Sequence, residues 1–454
     1  MTRREFIQKV GLHGGSTLAA MGALGFLNRA TGFGADLSNL ASVREKNGRK
    51  VVILGAGIAG MCAAYELGKL GFECTILESS QRTGGRSLTI RRGDTLTDTL
   101  GHKQTCEFDE GHYFNAGPAR FAQWQITMDY CRELGVAIEP FINVNEACYY
   151  LNENVPSPLA GKRLRQREAK ADLRGYNAEL LAKAVNQDKL DQPLTGDDKE
   201  KLIDYLRREG DLDPDSLAYK GSTRRGYKIW PAGGMQSGDM DPAYPFKDLV
   251  LANLIQHFHR ANEYEYQPAM FQPVGGMDML AKALAARVKD VIKLGAEVKE
   301  IRKQPKGARV VYADGNETKE IIADYCICTI PPTLLRTLPT DFSPLLKTAI
   351  TVVPFQNSAR IGVQFKRRFW EEDDRIFGGI SWTNQPINEI YYPSHGFFAK
   401  KGVLIGYYMF GPASDQVTQM APADRIEFAL AQGEKIHPQY RAEFENAFSV
   451  NWST

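Results

Sequence analysis

A glycine-rich segment, Gly55-Ala-Gly57-Ile-Ala-Gly60, has the residue types and spacing that bind the phosphates of a dinucleotide. In such a loop the first glycine permits a tight turn, the second lets the backbone approach a pyrophosphate, and the third allows close packing of the helix. The start of that helix offers free N–H groups and the positive end of its dipole. Glu78 follows at about the distance, roughly twenty residues, where a carboxylate accepts the ribose hydroxyls.

Two strands and a helix are needed to position this loop. Lys50–Leu54 is a short β-branched apolar run that is typical of a buried parallel strand, and Glu73–Leu77 is predicted to be the next strand. Between them, residues 61–70 show a helical pattern that ends at Gly71. The β-α-β context favours a dinucleotide site over the alternative, an ordinary turn that happens to contain glycines.

The residues after Glu78 carry a family resemblance. Arg82-Thr-Gly84-Gly85-Arg86 supplies a second glycine pair and a guanidinium whose planar fork can neutralise phosphate charge. With the acid before it, this segment resembles the extended fingerprint of the flavin amine oxidase family. The resemblance implies FAD as cofactor. It also implies an α/β fold with a Rossmann-like FAD-binding domain, a mixed-sheet substrate-binding domain and a helical insertion.

A second match, Gly117-Pro118-Ala119-Arg120, resembles the Gly-Pro-x-Arg segment of the L-amino-acid oxidases within that family. There the glycine and its neighbours line the flavin, and the arginine pairs with the substrate carboxylate. A bidentate guanidinium holds a carboxylate in one plane and so aims the adjacent Cα–H at a fixed acceptor. The alternative is that Arg120 makes a structural salt bridge near the start of a helix.

Residues 358–411 alternate and are rich in aromatic side chains, as expected for a sheet that floors a substrate pocket. The resemblance implies that Tyr407 hydrogen-bonds the substrate carboxylate, although it could instead be a core tyrosine. It also implies a catalytic role for Arg360, at a position where the family commonly has a lysine that holds a water against flavin N5. Arginine keeps the charge but cannot deprotonate, which puts oxygen reactivity at this site in question.

The cofactor contacts implied by the resemblance include the glycine loop, the Gly-Gly-Arg turn, the Gly-Pro segment and a valine whose backbone contacts the adenine. They are Gly55, Gly57, Ile58, Ala59, Gly60, Glu78, Ser79, Gly85, Arg86, Gly117, Pro118, Ala119, Arg120 and Val298. Val298 lies on a predicted strand and could otherwise be a core residue. No metal site is predicted, because His257 and His259 have no carboxylate or cysteine at ligand spacing.

These motifs divide the chain into five predicted segments. Residues 1–35, with adjacent Arg3 and Arg4 before a weakly apolar stretch, resemble a twin-arginine export signal, and the alternative is a basic amphipathic or membrane-spanning helix. Residues 48–120 are predicted to form the first part of the FAD-binding domain, and 121–260 a mainly helical substrate domain. Residues 270–340 return to the FAD-binding domain, with a hairpin of strands 308–313 and 320–330. Residues 341–454 form the substrate-binding sheet and are expected to stop before the family's C-terminal flavin motif.

The composition and charge fit a globular protein whose ligand is a small molecule. The 454 residues are 43% hydrophobic and 24% charged, which excludes a disordered or polytopic membrane protein. A formal net charge of +2 gives no argument for nucleic acid, and seven cysteines imply no disulfide framework.

The resemblance predicts FAD-dependent oxidative deamination of L-amino acids to 2-oxo acids, ammonia and hydrogen peroxide. The predicted partners are an amine or amino-acid substrate, molecular oxygen and the twin-arginine export machinery, with a homodimer left open. The predicted location is the periplasm or the exterior. The alternatives are a monoamine oxidase or amino-acid monooxygenase of the same fold, or an exported flavin-binding module or fragment without catalysis.

Overall fold

The computed structural model describes residues 48–191, 193–254, 256–258 and 263–453. The predicted export signal and His259 lie outside these residues. The strands are β1 (Lys50–Leu54), β2 (Glu73–Leu77), β3 (Thr89–Arg91), β4 (Thr95–Thr97), β5 (Lys103–Thr105), β6 (Tyr113–Asn115), β7 (Ile138–Ile142), β8 (Tyr149–Leu151), β9 (Leu164–Arg165), β10 (Ala269–Pro273), β11 (Ile292–Lys293), β12 (Ala296–Gln304), β13 (Gly307–Asp314), β14 (Glu317–Ala323), β15 (Tyr325–Cys328), β16 (Ser358–Phe365), β17 (Ile380–Thr383), β18 (Glu389–Tyr391), β19 (Gly402–Phe410) and β20 (Phe444–Trp452).

The helices lie between these strands along the chain. They are α1 (Ile58–Lys69), α2 (Thr127–Leu134), α3 (Gln166–Asn186), α4 (Gly196–Gly210), α5 (Phe246–Leu251), α6 (Asp278–Val288), α7 (Pro332–Leu335), α8 (Pro344–Val352), α9 (Phe369–Glu372), α10 (Pro412–Thr418) and α11 (Pro422–Ile436). Two 3₁₀ turns are formed by Thr223–Arg225 and Lys289–Val291.

The dinucleotide loop belongs to a four-stranded parallel sheet with the order β11-β2-β1-β15. Helix α1 connects β1 to β2, so the predicted β-α-β unit is confirmed. The helix begins at Ile58, directly after Gly57, and not at residue 61 as the apolar pattern suggested. Its first turn therefore lies at the carboxyl end of β1, where ligands of open α/β sheets bind.

The predicted strand 320–330 is two strands with different partners. Strand β14 ends at Ala323 and pairs antiparallel with β13, whereas β15 pairs parallel with β1. The carboxylate of Asp324 accepts a hydrogen bond from the backbone N–H of Lys50 at 2.7 Å. This contact marks the point at which the chain leaves the hairpin for the parallel sheet, so a single continuous strand is wrong.

A seven-stranded sheet with the order β20-β16-β19-β18-β17-β8-β9 forms the second main layer. Its pairings are antiparallel except for β17 with β8. One face packs on α10 and α11 and forms the largest apolar cluster, which includes Trp370, Tyr407 and Tyr440. The predicted mixed-sheet architecture is confirmed.

Helices α3 and α4 extend the predicted helical stretches 165–174 and 199–208 and contact each other. The segment 121–260 is not purely helical, because β8 and β9 within it join the seven-stranded sheet. The domain boundaries remain predictions. No helix in the described part of the chain is long and apolar enough to cross a membrane, and all seven cysteines are free.

Candidate active site

The glycine loop has the shape that its spacing predicts. Gly55 has a φ of +105°, and a Cβ added there would lie 2.6 Å from Oγ1 of Thr329. A Cβ on Gly60 would lie 1.9 Å from the carbonyl oxygen of Gly55, so only glycine lets α1 approach the loop this closely. Nothing lies within 4 Å of a Cβ placed on Gly57. The backbone of Gly57 therefore faces open space, as phosphate binding requires.

Glu78 stands at the end of β2 and is tied to the loop. Its Oε2 accepts the backbone N–H of Ala56 at 2.7 Å, and its Oε1 accepts the backbone N–H of Ser80 at 2.9 Å. The hydroxyl of Ser79 donates to the same carboxylate at 3.4 Å. These contacts hold an acceptor group beside the glycine loop, where the ribose of a dinucleotide would lie.

A cavity of about 910 Å³ runs along this loop. It is bounded by the glycine loop, the end of β2, the Gly-Gly-Arg turn, the start of β12 and the Pro331 turn. Most of the predicted cofactor contacts line it: Gly55, Gly57, Ile58, Ala59, Glu78, Ser79, Gly85, Arg86, Pro118 and Val298. The structure thus brings ten residues from five separate segments of the sequence around one cleft.

Four predicted cofactor contacts do not line the cleft. Gly60 packs against the loop, and Gly117 approaches Arg86 so closely that a Cβ would lie 1.9 Å from the Arg86 carbonyl oxygen. Ala119 and Arg120 line a neighbouring cavity. Gly60 and Gly117 therefore shape the cleft through backbone packing, whereas Ala119 and Arg120 face away from it.

Val298 sits at an irregularity in β12. The pairing with β13 runs from Val298–Tyr312 to Glu300–Val311, which leaves Lys299 as an extra residue. Such bulges interrupt a ladder and are common beside binding sites. Val298 itself is buried and lines the cleft.

Trp452 also lines the cleft, although its sequence context gave no signal for it. Its indole Nε1 donates to the carbonyl oxygen of Ala116 at 2.9 Å. Leu334 and Leu338 add apolar surface at the other side. A polar loop for phosphates next to aromatic and apolar walls fits the two halves of FAD.

A second cavity of about 340 Å³ shares Pro118 with the dinucleotide cleft. Its walls come from the Gly-Pro segment, the start of α3, β10 and the strands β16 to β19. The lining residues that carry polar or aromatic groups are Arg120, Gln125, Asn143, Gln166, Glu265, Tyr266, Arg360, Trp382, Glu389, Tyr391, Tyr408 and Phe410. A small molecule bound here would lie next to the group bound in the cleft.

The guanidinium of Arg120 lies at this cavity among three aromatic rings. Its guanidinium carbon lies 5.4 Å from the ring centroid of Phe141, 5.1 Å from that of Tyr266 and 5.3 Å from that of Tyr391. Nη1 contacts the Tyr391 hydroxyl at 3.4 Å, and the buried Nε has no hydrogen-bond partner in the described part of the chain. Burial lowers the pKa of Arg120, but the neighbouring Tyr391 and Glu389 raise it above its ordinary value, so the group is a permanent cation.

The alternative of a structural salt bridge for Arg120 does not match these contacts. No carboxylate within the described residues lies within ion-pair distance of its guanidinium, which is held by π faces instead. Cations over aromatic faces are stabilised without using their N–H donors. Arg120 is therefore equipped to receive an anion from the cavity.

Arg360 lies on β16 and is almost completely buried, with 4% of its surface exposed. Its Nη1 donates to the carbonyl oxygens of Asn115, at 3.1 Å, and of Gly117. Its guanidinium carbon lies 3.6 Å from the ring centroid of Tyr408. These contacts fix the side chain between the Gly-Pro segment and the substrate cavity.

Tyr407 does not reach the cavity, which corrects the prediction that it contacts substrate. Its side chain is fully buried in the apolar cluster on the opposite face of the sheet. The neighbouring Tyr408 lines the cavity instead. The cause is a β-bulge, because Tyr407 pairs with Ile361 while Ile405 pairs with Gly362, leaving Gly406 as an extra residue.

The bulge reverses which side chains face the cavity. Before Gly406, Ile405 faces the cavity side; after it, Tyr408 does. Because side chains in a strand alternate with a period of two, one inserted residue moves every later side chain to the other face. Simple alternation along β19 would therefore place Tyr407 in the cavity, and the alternative of a core tyrosine describes its position.

Other residues of the cavity were missed by sequence reasoning. The Tyr391 hydroxyl donates to the buried carboxylate of Glu389 at 3.1 Å. Burial, together with the negative charge of Glu389, raises the pKa of Tyr391, so its phenol stays protonated. The run Ile390-Tyr-Tyr-Pro393 marked this strand as aromatic, but nothing in it indicated which ring faces the cavity.

Within the ranges that the structure describes, no group of three or more histidine, cysteine, aspartate or glutamate side chains could hold a metal ion. His257, for example, contacts the side-chain oxygen of Asn152 at 3.0 Å and stacks against Tyr150. It belongs to the packing of β8.

The sequence matches the model of one protein family, flavin-containing amine oxidoreductases, over residues 58–454. It is 30% identical over 386 residues to the L-amino acid oxidase bordonein-L of Crotalus durissus terrificus, covering 80% of this chain and 66% of that protein. It is 28% identical over 377 residues to an L-amino-acid oxidase of Pseudechis australis, with coverage of 80% and 66%. The chain spans slightly less than two thirds of the length of these relatives.

The fold is similar to that of solved amine oxidases. Wild-type putrescine oxidase bound to putrescine superimposes with a TM-score of 0.54 at 18% identity, covering 88% of this chain and 84% of that chain. Cyclohexylamine oxidase from Brevibacterium oxydans gives a TM-score of 0.55 at 16% identity, with coverage of 89% and 85%.

Proposed function

Because the chain belongs to the family of flavin-containing amine oxidoreductases and its cofactor is FAD, we propose that it oxidises L-amino acids. The products would be 2-oxo acids, ammonia and hydrogen peroxide, with molecular oxygen as acceptor. FAD bound in the cleft would supply the hydride acceptor for the substrate Cα–H and pass the electrons to oxygen.

The observation that carries this proposal is the position of Arg120. A half-buried cation with a buried, unpartnered Nε lies in the cavity next to the cleft, and aromatic rings hold it in place. A substrate carboxylate could accept two hydrogen bonds from such a planar fork. That pairing would orient the Cα–H towards the cleft near Pro118. Alignment of the reacting C–H bond with its acceptor raises the reaction rate.

Other residues of the chain support this orientation. The hydroxyl of Tyr391 donates to Glu389 and accepts a hydrogen bond from Nη1 of Arg120, so it helps to fix the guanidinium that would receive the carboxylate. Trp382, Tyr266 and Tyr408 supply apolar walls that exclude water from around the substrate. No protein nucleophile is required, because the cofactor carries the bond-making chemistry.

The test compares an L-amino acid with its decarboxylated amine on FAD-loaded protein. We expect Arg120→Met to lower kcat/KM for L-leucine by about 30-fold to several thousand-fold, the range for loss of a buried charged pair, and to leave the value for isoamylamine unchanged. Arg132→Gln, which removes a largely exposed arginine on α2, is the control and should change neither value.

Two outcomes would favour the alternatives. An unchanged preference for the amino acid in Arg120→Met would contradict the carboxylate role and favour an amine oxidase without that requirement. A yellow protein whose flavin is not bleached anaerobically by any amino acid or amine would favour a module without catalysis. Export by the twin-arginine route and a homodimer remain predictions, since the export segment lies outside the described residues.

A further inference from the structure

A third cavity, of about 230 Å³, lies apart from the dinucleotide cleft and the substrate cavity. It is bounded by the start of α3, the 3₁₀ turn Thr223–Arg225 with the residues that follow it, and the residues after α9. Five cationic side chains line it: Arg165, Arg167, Arg225, Lys228 and Arg375. The family motifs include none of these residues.

Three carboxylates also line this cavity, and two of them are engaged by other groups. Glu168 accepts a hydrogen bond from the Tyr244 hydroxyl at 2.6 Å. Asp374 contacts Nδ1 of His437 at 2.8 Å and accepts the Tyr149 hydroxyl at 2.7 Å. The third, Asp241, is exposed at the rim. Positive side chains therefore outnumber the negative ones.

Arg225 is the buried member of the cationic set, with 4% of its surface exposed. It forms an ion pair with Asp172 at 2.8 Å, and its Nη1 donates to the backbone carbonyl of Asp241. Its Nη2 is buried and has no hydrogen-bond partner in the part of the chain that the structure describes. Arg225 therefore contributes a positive charge to this wall of the cavity, partly offset by Asp172.

Arg167, Lys228 and Arg375 make no side-chain hydrogen bond or ion pair within the described ranges. Arg165 is partly engaged, because its guanidinium lies 4.2 Å from the ring centroid of Tyr149 and 3.9 Å from Asp374. Helix α3 begins at this cavity, and its first backbone N–H groups, those of Gln166 and Arg167, donate to the carbonyl oxygens of Cys148 and Glu146. The unpaired cationic side chains, and not the helix N-terminus, therefore favour an anion.

We propose that this cavity binds a small phosphate-bearing anion. Guanidinium groups match phosphate oxygens through paired N–H donors, and a multiply charged ligand balances several cations at once. The rings of Tyr227 and Trp230, 5.7 Å apart, form an aromatic wall at the same opening. The site does not depend on the flavin chemistry, so failure of either proposal would leave the other unaffected.

The test is a calorimetric titration of FAD-loaded protein with inorganic pyrophosphate at constant ionic strength. Loading with FAD fills the glycine loop, which would otherwise bind the same probe. We expect saturable binding by the wild type and at least about tenfold weaker binding by the double variant Arg167→Gln/Arg375→Gln, because each charged hydrogen bond contributes about that factor. Both positions tolerate polar substitution, since neither side chain makes a described hydrogen bond.

Arg92→Gln is the matched control, because Arg92 is an exposed arginine outside the cavity. Its affinity for pyrophosphate should equal that of the wild type within about twofold. Equal urea unfolding midpoints would show that all three proteins are folded. Absence of saturable binding by the wild type, or equal affinity in the wild type and the double variant, would overturn the proposal.

Discussion

Arg360 and Tyr408 face each other across paired strands of the substrate sheet, with the guanidinium carbon 3.6 Å from the ring centroid. They are direct cross-strand partners, and the ring covers one face of a cation whose Nη1 is held by two backbone carbonyls. The guanidinium is therefore fixed by the protein on two sides.

Substitution of Tyr408 should alter the substrate cavity and leave the core largely intact. We expect Tyr408→Ala to raise KM for the amino acid and to lower the free energy of unfolding by about 0.5–2 kcal/mol, the contribution of a cation–π contact. Tyr407→Ala should instead lower the free energy of unfolding by about 3–5 kcal/mol, because it leaves a cavity in the core, and should leave KM unchanged. Urea unfolding and steady-state kinetics of both variants check this, and a KM change confined to Tyr407→Ala would contradict the assignment of faces.

The glycine loop was predictable from the sequence because each of its glycines meets a requirement of the local backbone. A tight turn, a close approach and an open backbone are properties of a few adjacent residues, and the strand before the loop is marked by its apolar run. Glu78 differs, because one of its partners, Ser80, is close in sequence, whereas the other, Ala56, lies 22 residues away in the glycine loop.

The substrate cavity could not be predicted from short stretches of sequence in the same way. Its walls come from segments as distant as Gln125 and Tyr408, and their faces depend on the bulge at Gly406. The isolated glycine, Gly406, is a sequence sign of a bulge, but it does not show the register on the partner strand, and the bulge exchanges the faces of Tyr407 and Tyr408. Likewise, the switch of partners at Asp324 depends on a contact with Lys50, far away along the chain.

The glycines of the loop should separate folding from cofactor binding. Gly57→Ala is expected to leave the free energy of unfolding of the apoprotein within about 1 kcal/mol, because no atom lies near its Cβ, but to weaken FAD binding by blocking the phosphates. Gly60→Ala should destabilise the fold itself, since its Cβ would overlap the Gly55 carbonyl. Flavin fluorescence titration and urea unfolding measure the two effects, and unchanged FAD affinity in Gly57→Ala would place the phosphates elsewhere.

His395 predicts a pH dependence of stability. Burial, with the charges of Arg368 and His112 nearby, lowers the pKa of His395 to about 4. In the unfolded chain the imidazole has its ordinary pKa of about 6.5, so the unfolded state binds more protons between these values. Stability is therefore fully present above about pH 6.5 and falls as the pH drops towards 4, by up to about 3 kcal/mol from this group.

The variant His395→Phe isolates this contribution. A phenyl ring can keep the stacking on Tyr113, where the ring centroids are 4.7 Å apart, but it cannot take a proton. The free energy of unfolding of the variant should fall less steeply between pH 6.5 and 4 than that of the wild type. Urea unfolding at several pH values gives both slopes, and identical slopes would show that His395 titrates normally.

Asp98, which is partly exposed, and the fully buried Arg425 form an ion pair that links the turn after β4 to α11. Nη2 of Arg425 lies 2.5 Å from Oδ2 of Asp98, and the arginine side chain is fully buried. Nη2 also donates to the backbone carbonyl of Thr418, Nε donates to that of Val417, and Nη1 donates to the hydroxyl of Ser449 at 3.4 Å. Burial alone would raise the pKa of Asp98, but the hydrogen bond from Arg425 and those from His102 and Leu100 lower it to about 2.

Removing one partner of this pair should cost more than removing both. Asp98→Asn leaves the Arg425 charge buried and uncompensated, so we expect a loss of about 3–5 kcal/mol at pH 7, whereas Asp98→Leu/Arg425→Met should recover part of it. Since the pKa of Asp98 is depressed in the folded state, its contribution is present above about pH 4 and is lost as the pH falls towards 2. Urea unfolding of the single and double variants tests both points, and a loss below about 1 kcal/mol in Asp98→Asn would mean that water already screens the pair.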